Sequence, residues 1–244
     1  MLFYTLSAFC VAACGLFATG EPTLPVTVCQ RNSVDYHDCL KRAIIEAWPR
    51  FIAGLPEFDF PPLDPIFYAH DKVVYNQGEI RGELIMTNIT DIGLADARFF
   101  DVRTHFHNDA FRLEIDAAVP KLYIEGGVFL NGSVSVFRVT GKGHFNISLE
   151  DVRATWDISG PVINNTWTID HFRVAPSIGT FKIYFDNLVE QSQEINDVVV
   201  NFVNEFWPAL YRVMLPLTAE VWDPWLCKFP NKIFSKIPFS KIFP

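Results

Sequence analysis

Two histidines one residue apart, His105 and His107, are the first candidates for chemistry, since strand alternation would set both imidazoles on one face. Such a pair begins a metal site. No third ligand stands at a matching spacing, so it reads as a solvated strand face and no metal is expected. Neither a Gly-x-Ser-x-Gly elbow, a His-Glu-x-x-His helix nor a phosphate-binding loop occurs. A scattered triad is the one catalytic arrangement left open, and the chain is expected to be no enzyme and to carry no cofactor. The cysteines fit neither zinc nor redox chemistry, having no Cys-x-x-Cys and no Cys/His cluster.

The cysteines take their meaning from the compartment. Met1 to Thr19 carries no charge and is followed by Gly20 and then Glu21-Pro22. It reads as a signal peptide cleaved after Gly20, with an uncleaved anchor as the alternative. Cleavage would remove Cys10 and Cys14 and leave one domain, 21–244, in a secreted, extracellular protein. There Cys29 and Cys39 are expected to pair, closing a loop worth roughly 2–3 kcal/mol. Cys227 is left as a buried thiol or an intermolecular bridge. Glycosylation sequons at Asn88, Asn131, Asn146 and Asn164 suit the same compartment.

Among 244 residues, 50% are hydrophobic and 23 are phenylalanine, which excludes a disordered chain. The net charge of −8 argues against nucleic acid as a partner, for no positive excess is available to neutralise phosphates. Leu40, Ala43, Ile44 and Ala47 predict a helix from Leu40 to Trp48, ending at Pro49. A proline-rich loop, Gly54 to Ile66, follows. From Lys72 to about Phe185 apolar residues alternate, as in Phe111, Leu113 and Ile115. The phase shifts after Phe145, Ile147 and Leu149 to Val152, Ala154 and Trp156, which predicts a bulge near Glu150-Asp151. A second shift falls between Trp167/Ile169 and Phe172/Val174. Bent strands with one polar face predict a strongly curved antiparallel sheet, hence an α+β fold.

The cover for that sheet is a helical stripe: Ile195, Val199, Phe202, Phe206, Leu210, Val213, Leu217 and Val221, widened by Val203, Trp207 and Met214. It predicts a helix from Ile195 to Val221, about 40 Å long, kinked at Pro208 and Pro216, apolar on most sides and wrapped by the sheet.

These residues resemble one family, the insect juvenile-hormone-binding and takeout-like proteins. The resemblance spans nearly the whole chain beyond Gly20. It rests on Cys29-x9-Cys39-Leu, on Leu-Pro-Glu and Pro-Pro-Leu-Asp-Pro within Gly54 to Ile66, and on Leu122-Tyr-Ile-Glu-Gly126. Gly141-Lys-Gly143, Asn204-Glu-Phe-Trp207 and Pro230-Asn-Lys-Ile-Phe234 complete it. It implies a tubular-lipid-binding type super-roll around an apolar tunnel that takes juvenile hormone, another terpenoid or a fatty-acid-like molecule. No cysteine lies between Cys39 and Cys227 to make a second disulfide, so the chain is closer to the takeout-like branch.

A tunnel burying about 400 Å² of ligand would gain roughly 10 kcal/mol before association costs, and the phenylalanine excess suits its lining. The residues expected to line it are Leu63, Ile66, Phe129, Phe137, Phe202, Phe206, Tyr211 and Met214; Tyr123 and Tyr211 are candidates to orient the ligand with a hydroxyl. The function expected is a secreted carrier of a small hydrophobic ligand. The alternative is an extracellular interaction protein of the same fold with a filled core. Lys228, Lys232, Lys236 and Lys241 lie among Phe229, Ile233, Phe234, Ile237, Phe239 and Phe243, with no acid after Asp223. That tail suits a transient membrane contact, or aromatics tucked onto the sheet. No oligomeric state is read from the chain.

Overall fold

The computed structural model describes residues 24, 26–77, 80–134, 137–186 and 192–244. The expected signal peptide, 1–20, lies outside the described residues.

The first helix, α1 (Tyr36–Ala53), buries Tyr36, Leu40, Ala43 and Ala47. It passes through Pro49 instead of ending there. The carbonyl that Pro49 leaves unbonded belongs to Ile45, on the exposed face, where water can replace the lost bond. The helix stops at Gly54, whose φ is +86° and where a Cβ would lie 2.9 Å from the Pro62 nitrogen, so only glycine fits. The proline-rich loop then folds onto the protein. Leu55 and Phe60 exchange both backbone hydrogen bonds, and Phe58 and Phe60 are buried.

Among the described residues the strands are β1 (Ile66–Gln77), β2 (Ile80–Ile92), β3 (Arg98–His107), β4 (Ala110–Val134), β5 (Phe137–Ile163), β6 (Thr166–Trp167), β7 (His171–Val174) and β8 (Thr180–Phe185). They form one eight-stranded sheet, every pairing antiparallel. Its spine is the hairpin of β4 and β5, paired from Ala110 with Pro161 to Val134 with Phe137. On one side of the spine β3 takes the first half of β4, and β2, followed by β1, takes the second. On the other side β7 and β8 share β5 in the same way.

The phase shift expected near Glu150-Asp151 is present. Asp151 has φ +52°, in the left-handed region that Asp tolerates. Before it Phe145, Ile147 and Leu149 face the core; after it Val152 and Ile158 do. β4 makes the matching switch beside it at Pro120, from Val119 to Leu122, so both strands keep their apolar side chains on one concave face. The second expected shift is a break between strands: β6 ends at Trp167 and β7 begins at His171.

The long helix, α2 (Gln193–Phe234), has 42 residues and contains Pro208, Pro216, Pro224 and Pro230. At 1.5 Å per residue it is about 63 Å long, well beyond the Ile195 to Val221 expected. Ser192 caps its start, accepting a hydrogen bond from the Ile195 N–H. A short α3 (Phe239–Ile242) follows. In the tail, Ile233, Ile237, Phe239, Ile242 and Phe243 are buried with Trp167 and Phe111. The tail's apolar side chains are therefore core, and its lysines stay at the surface: Lys232 donates to the Asp59 carbonyl and Lys236 pairs with the Asp59 carboxylate.

The sheet curls part of the way round α2. As expected, a curled antiparallel sheet carries the long C-terminal helix; the helix lies along the free edge of β7 and β8, and Phe202, Phe206 and Val213 on its stripe are 51%, 47% and 60% exposed.

Candidate functional site

Polar side chains hold α2 to the sheet edge. Asn204 donates to the Ile183 carbonyl and accepts from the Ile183 N–H, both at 2.8 Å. Asn231 makes the same two bonds with Ile169, also at 2.8 Å. Asn196 donates to the Phe185 carbonyl. Asp223 accepts from the Phe172 N–H and lies 2.8 Å from His171 Nδ1. A strand edge left open would present unpaired backbone groups; here helix side chains take the place of the missing strand. The Asp223 carboxyl sits below its ordinary range: burial opposes this, and the bonds from His171 and Phe172 outweigh it.

With the helix so fixed, the part of the concave face that carries Val128 and Phe145 lies beside it, and the strip where the two meet is the candidate groove. Its floor is built of cross-strand rows. Leu84, Leu130 and Gly141 form one; Met86, Val128 and Gly143 the next; Gly126, Phe145 and Phe185 the third. The helix side begins at Val199, which packs against the cluster of Val128 and Phe145. Phe202 and Phe206 follow it by three and seven residues on the same helical face, their rings 5.0 Å apart. One end is closed by aromatic contacts: Tyr68 against Trp225 at 4.9 Å, Trp225 against Phe229 at 4.9 Å, and Phe229 against Phe60 at 6.1 Å.

Of the residues expected to line a ligand site, Ile66 opens β1 on the concave face opposite Asp91, and Phe202 and Phe206 border the groove. Met214 is half-buried on the same helix. Leu63 packs against the main core instead, its N–H bonded to the Ile52 carbonyl. Tyr123 and Phe129 stand on the convex face, for alternation turns them away from Leu122, Ile124, Val128 and Leu130. Tyr123 lies beside Glu125, and Phe129 between Ile85 and Lys142. The Tyr211 hydroxyl donates to the Pro176 carbonyl at 2.5 Å. The side chain of Phe137 lies outside the described residues.

The sulfurs of Cys29 and Cys39 are bonded, and Cys227 is a buried free thiol pushed up to about 11, chiefly by burial and then by the Asp223 charge. Asn88, Asn131 and Asn164 are exposed; Asn146 is half-buried within β5. His105 belongs to a charged network on the convex face, where Arg103 binds Asp116, Glu114 and Asp101 and holds the first two carboxyls below their ordinary range. Among the described residues no three His, Cys, Asp or Glu side chains are grouped to hold a metal, and no helix is long and apolar enough to cross a membrane.

Asp91 was missed by the sequence reading. Alternation from Leu84 and Met86 would turn it outward, but Asn88, at φ +51°, inserts an extra residue into β2 and turns Ile89 and Asp91 inward. The step of three from Met86 to Ile89 was the available signal.

The profile of the haemolymph juvenile hormone binding protein family matches residues 5–244. No curated protein sequence matches the chain. Among solved structures, Takeout 1 of Epiphyas postvittana superposes with a TM-score of 0.67 at 17% identity, covering 89% of this chain and 99% of that one. The likeness extends to the curled antiparallel sheet and the C-terminal helices.

Proposed function

The chain belongs to the haemolymph juvenile hormone binding protein family, and from that premise we propose that it is a secreted, non-enzymatic carrier of a small hydrophobic molecule held in the concave groove. The observation that carries this reading is the pairing of an apolar floor with an apolar helix face left open to water at Phe202, Phe206 and Val213. Contiguous exposed apolar surface marks a binding site. Covering about 400 Å² of ligand would contribute roughly 10 kcal/mol, less several for association, which gives micromolar to nanomolar affinity. Juvenile hormone, another terpenoid or a fatty-acid-like chain meets this description. Ile66, Phe202, Phe206 and Met214 are assigned to its contact surface. A signal peptide at 1–20 followed by one domain, 21–244, is part of this proposal, and the exposed sequons at Asn88, Asn131 and Asn164 support an extracellular setting.

Native mass spectrometry of the secreted chain, before and after organic extraction, tests the reading. A discrete extra mass of a few hundred daltons, lost on extraction, is expected. A bare polypeptide that takes up neither terpenoids nor fatty acids would overturn it, and the helix stripe would then be a docking face for another protein.

A further inference from the structure

The inward-facing side chains of the groove floor are apolar or glycine along β2 from Leu84, β4 from Leu122, β5 from Gly141 to Leu149, and β8, with one exception. The exception is Asp91. It lies in a row that crosses five strands: Ile66, Asp91, Ile124, Ile147 and Ile183. A carboxyl at a position whose row is otherwise isoleucine costs free energy that an apolar residue would not. Its Oδ1 is covered and has no hydrogen-bond partner. Asp64, the nearby charge, already uses a carboxylate oxygen on the N–H groups of Gly93 and Ala95, at 3.1 and 2.8 Å. The row sits next to Tyr68 and Ile89, hence by the closed end of the groove. From there to the row of Leu84 and Leu130 the floor runs about 20 Å, at 3.3 Å per residue, long enough for an extended sesquiterpenoid.

We propose that Asp91 is the polar anchor of the groove and that it selects an apolar chain ending in a hydroxyl group. This rests on the carrier reading above. Burial, and then the charge of Asp64, push the Asp91 carboxyl up to about 7, so both of its forms are present near neutrality. A hydroxyl satisfies both, donating to the carboxylate and accepting from the acid. An ether or ester oxygen serves only the acid, and an ammonium only the carboxylate.

The test compares farnesol with its methyl ether, which keeps the chain and the oxygen but cannot donate. Both are titrated near neutral pH against the full chain loaded with N-phenyl-1-naphthylamine. Farnesol is expected to displace the dye roughly ten-fold more tightly than the ether, the effect of one hydrogen bond to a partly charged group. Asp91→Leu should abolish the difference, chiefly by weakening farnesol, and Asp91→Asn, whose amide donates and accepts, should keep part of it. Equal affinity of the native chain for both compounds overturns the anchor, and needs no variant to fold. So does a preference that survives in Asp91→Leu. If the native chain binds neither compound nor the dye, the carrier reading itself falls and the anchor with it.

Discussion

The two ends of the β4–β5 hairpin carry the same alternating pattern and meet opposite fates. On the Ile158 side of the Asp151 switch, Phe111, Leu113, Ile115 and Ile158 are sealed under α1, the end of α2 and α3. Trp167 is completely buried there, with Phe111 and Phe234 rings 4.7 and 4.6 Å away. Arg31 ties the N-terminal segment to the same end, its guanidinium 4.4 Å above Phe106. On the Phe145 side of the switch, Val128 and Phe145 are buried, but Leu84, Met86, Ile89, Leu130 and Ile147 are only partly so. A sheet face is therefore not a core until something covers it. The aromatic end has three layers of cover; the aliphatic end has one helix, set to the side. Ten of the 23 phenylalanines belong to the sealed end, so the excess is not reserved for a ligand lining.

The comparison can be broken most forcefully at Trp167. Trp167→Ala should cost about 3–5 kcal/mol in urea unfolding, the range for deleting a buried aromatic; a loss below about 1 kcal/mol would mean the sealed end is not the stabilising one. At the open end the largest effect is expected from Asp91, and it depends on pH. Its folded pKa of about 7 lies above the ordinary 3.8, so the folded state keeps a proton that the unfolded state releases. Stability should therefore fall as pH rises from about 4 to 7, by roughly 4 kcal/mol, and stay lower above that window. Asp91→Asn should flatten this dependence and raise the melting temperature above pH 7, with little change below pH 4.

A smaller loss is expected from Asn204→Leu, which strips the Ile183 N–H and carbonyl of their partners: about 1–2 kcal/mol by denaturant titration. Asn231→Leu, the same clamp in the sealed end, should cost more because water has less access to the orphaned groups. Equal losses would erase the distinction. The smallest effect on stability belongs to Phe206→Ala, within about 0.5 kcal/mol. The same substitution should weaken ligand uptake several-fold in dye displacement. A stable variant with unchanged uptake would remove Phe206 from the groove.

Much of the frame was legible in local patterns. The alternation from Phe111, the phase change at Asp151, the Cys29–Cys39 pair and the existence of α2 all depend on spacing along the chain. What was not legible depends on where one element lies against another. Pro49 read as a stop, yet α1 continues to Ala53 because packing on one face outweighs a single lost backbone bond. The helix stripe around Phe206 read as cover, since its apolar spacing cannot say which side the sheet will meet. The asparagines at 204 and 231 decide that. At the candidate site, Ile66, Phe202 and Phe206 rest on pattern and belong to the proposal, whereas the outward placement of Tyr123 and Phe129 needed the parity of Leu122 and Val128, and the inward one of Asp91 needed the bulge at Asn88.

The asparagine clamps have a mechanical consequence. Apolar contacts tolerate sliding, but a planar amide that takes both backbone groups of one residue does not. With clamps at Ile183 and Ile169, α2 is indexed to the sheet as a strand would be, and a shift by even one residue breaks both. The β1–β2 hairpin reaches the same helix at Tyr68, whose ring lies 4.9 Å from that of Trp225. A helix held by paired backbone bonds thus serves as one more edge of the sheet, in register with it.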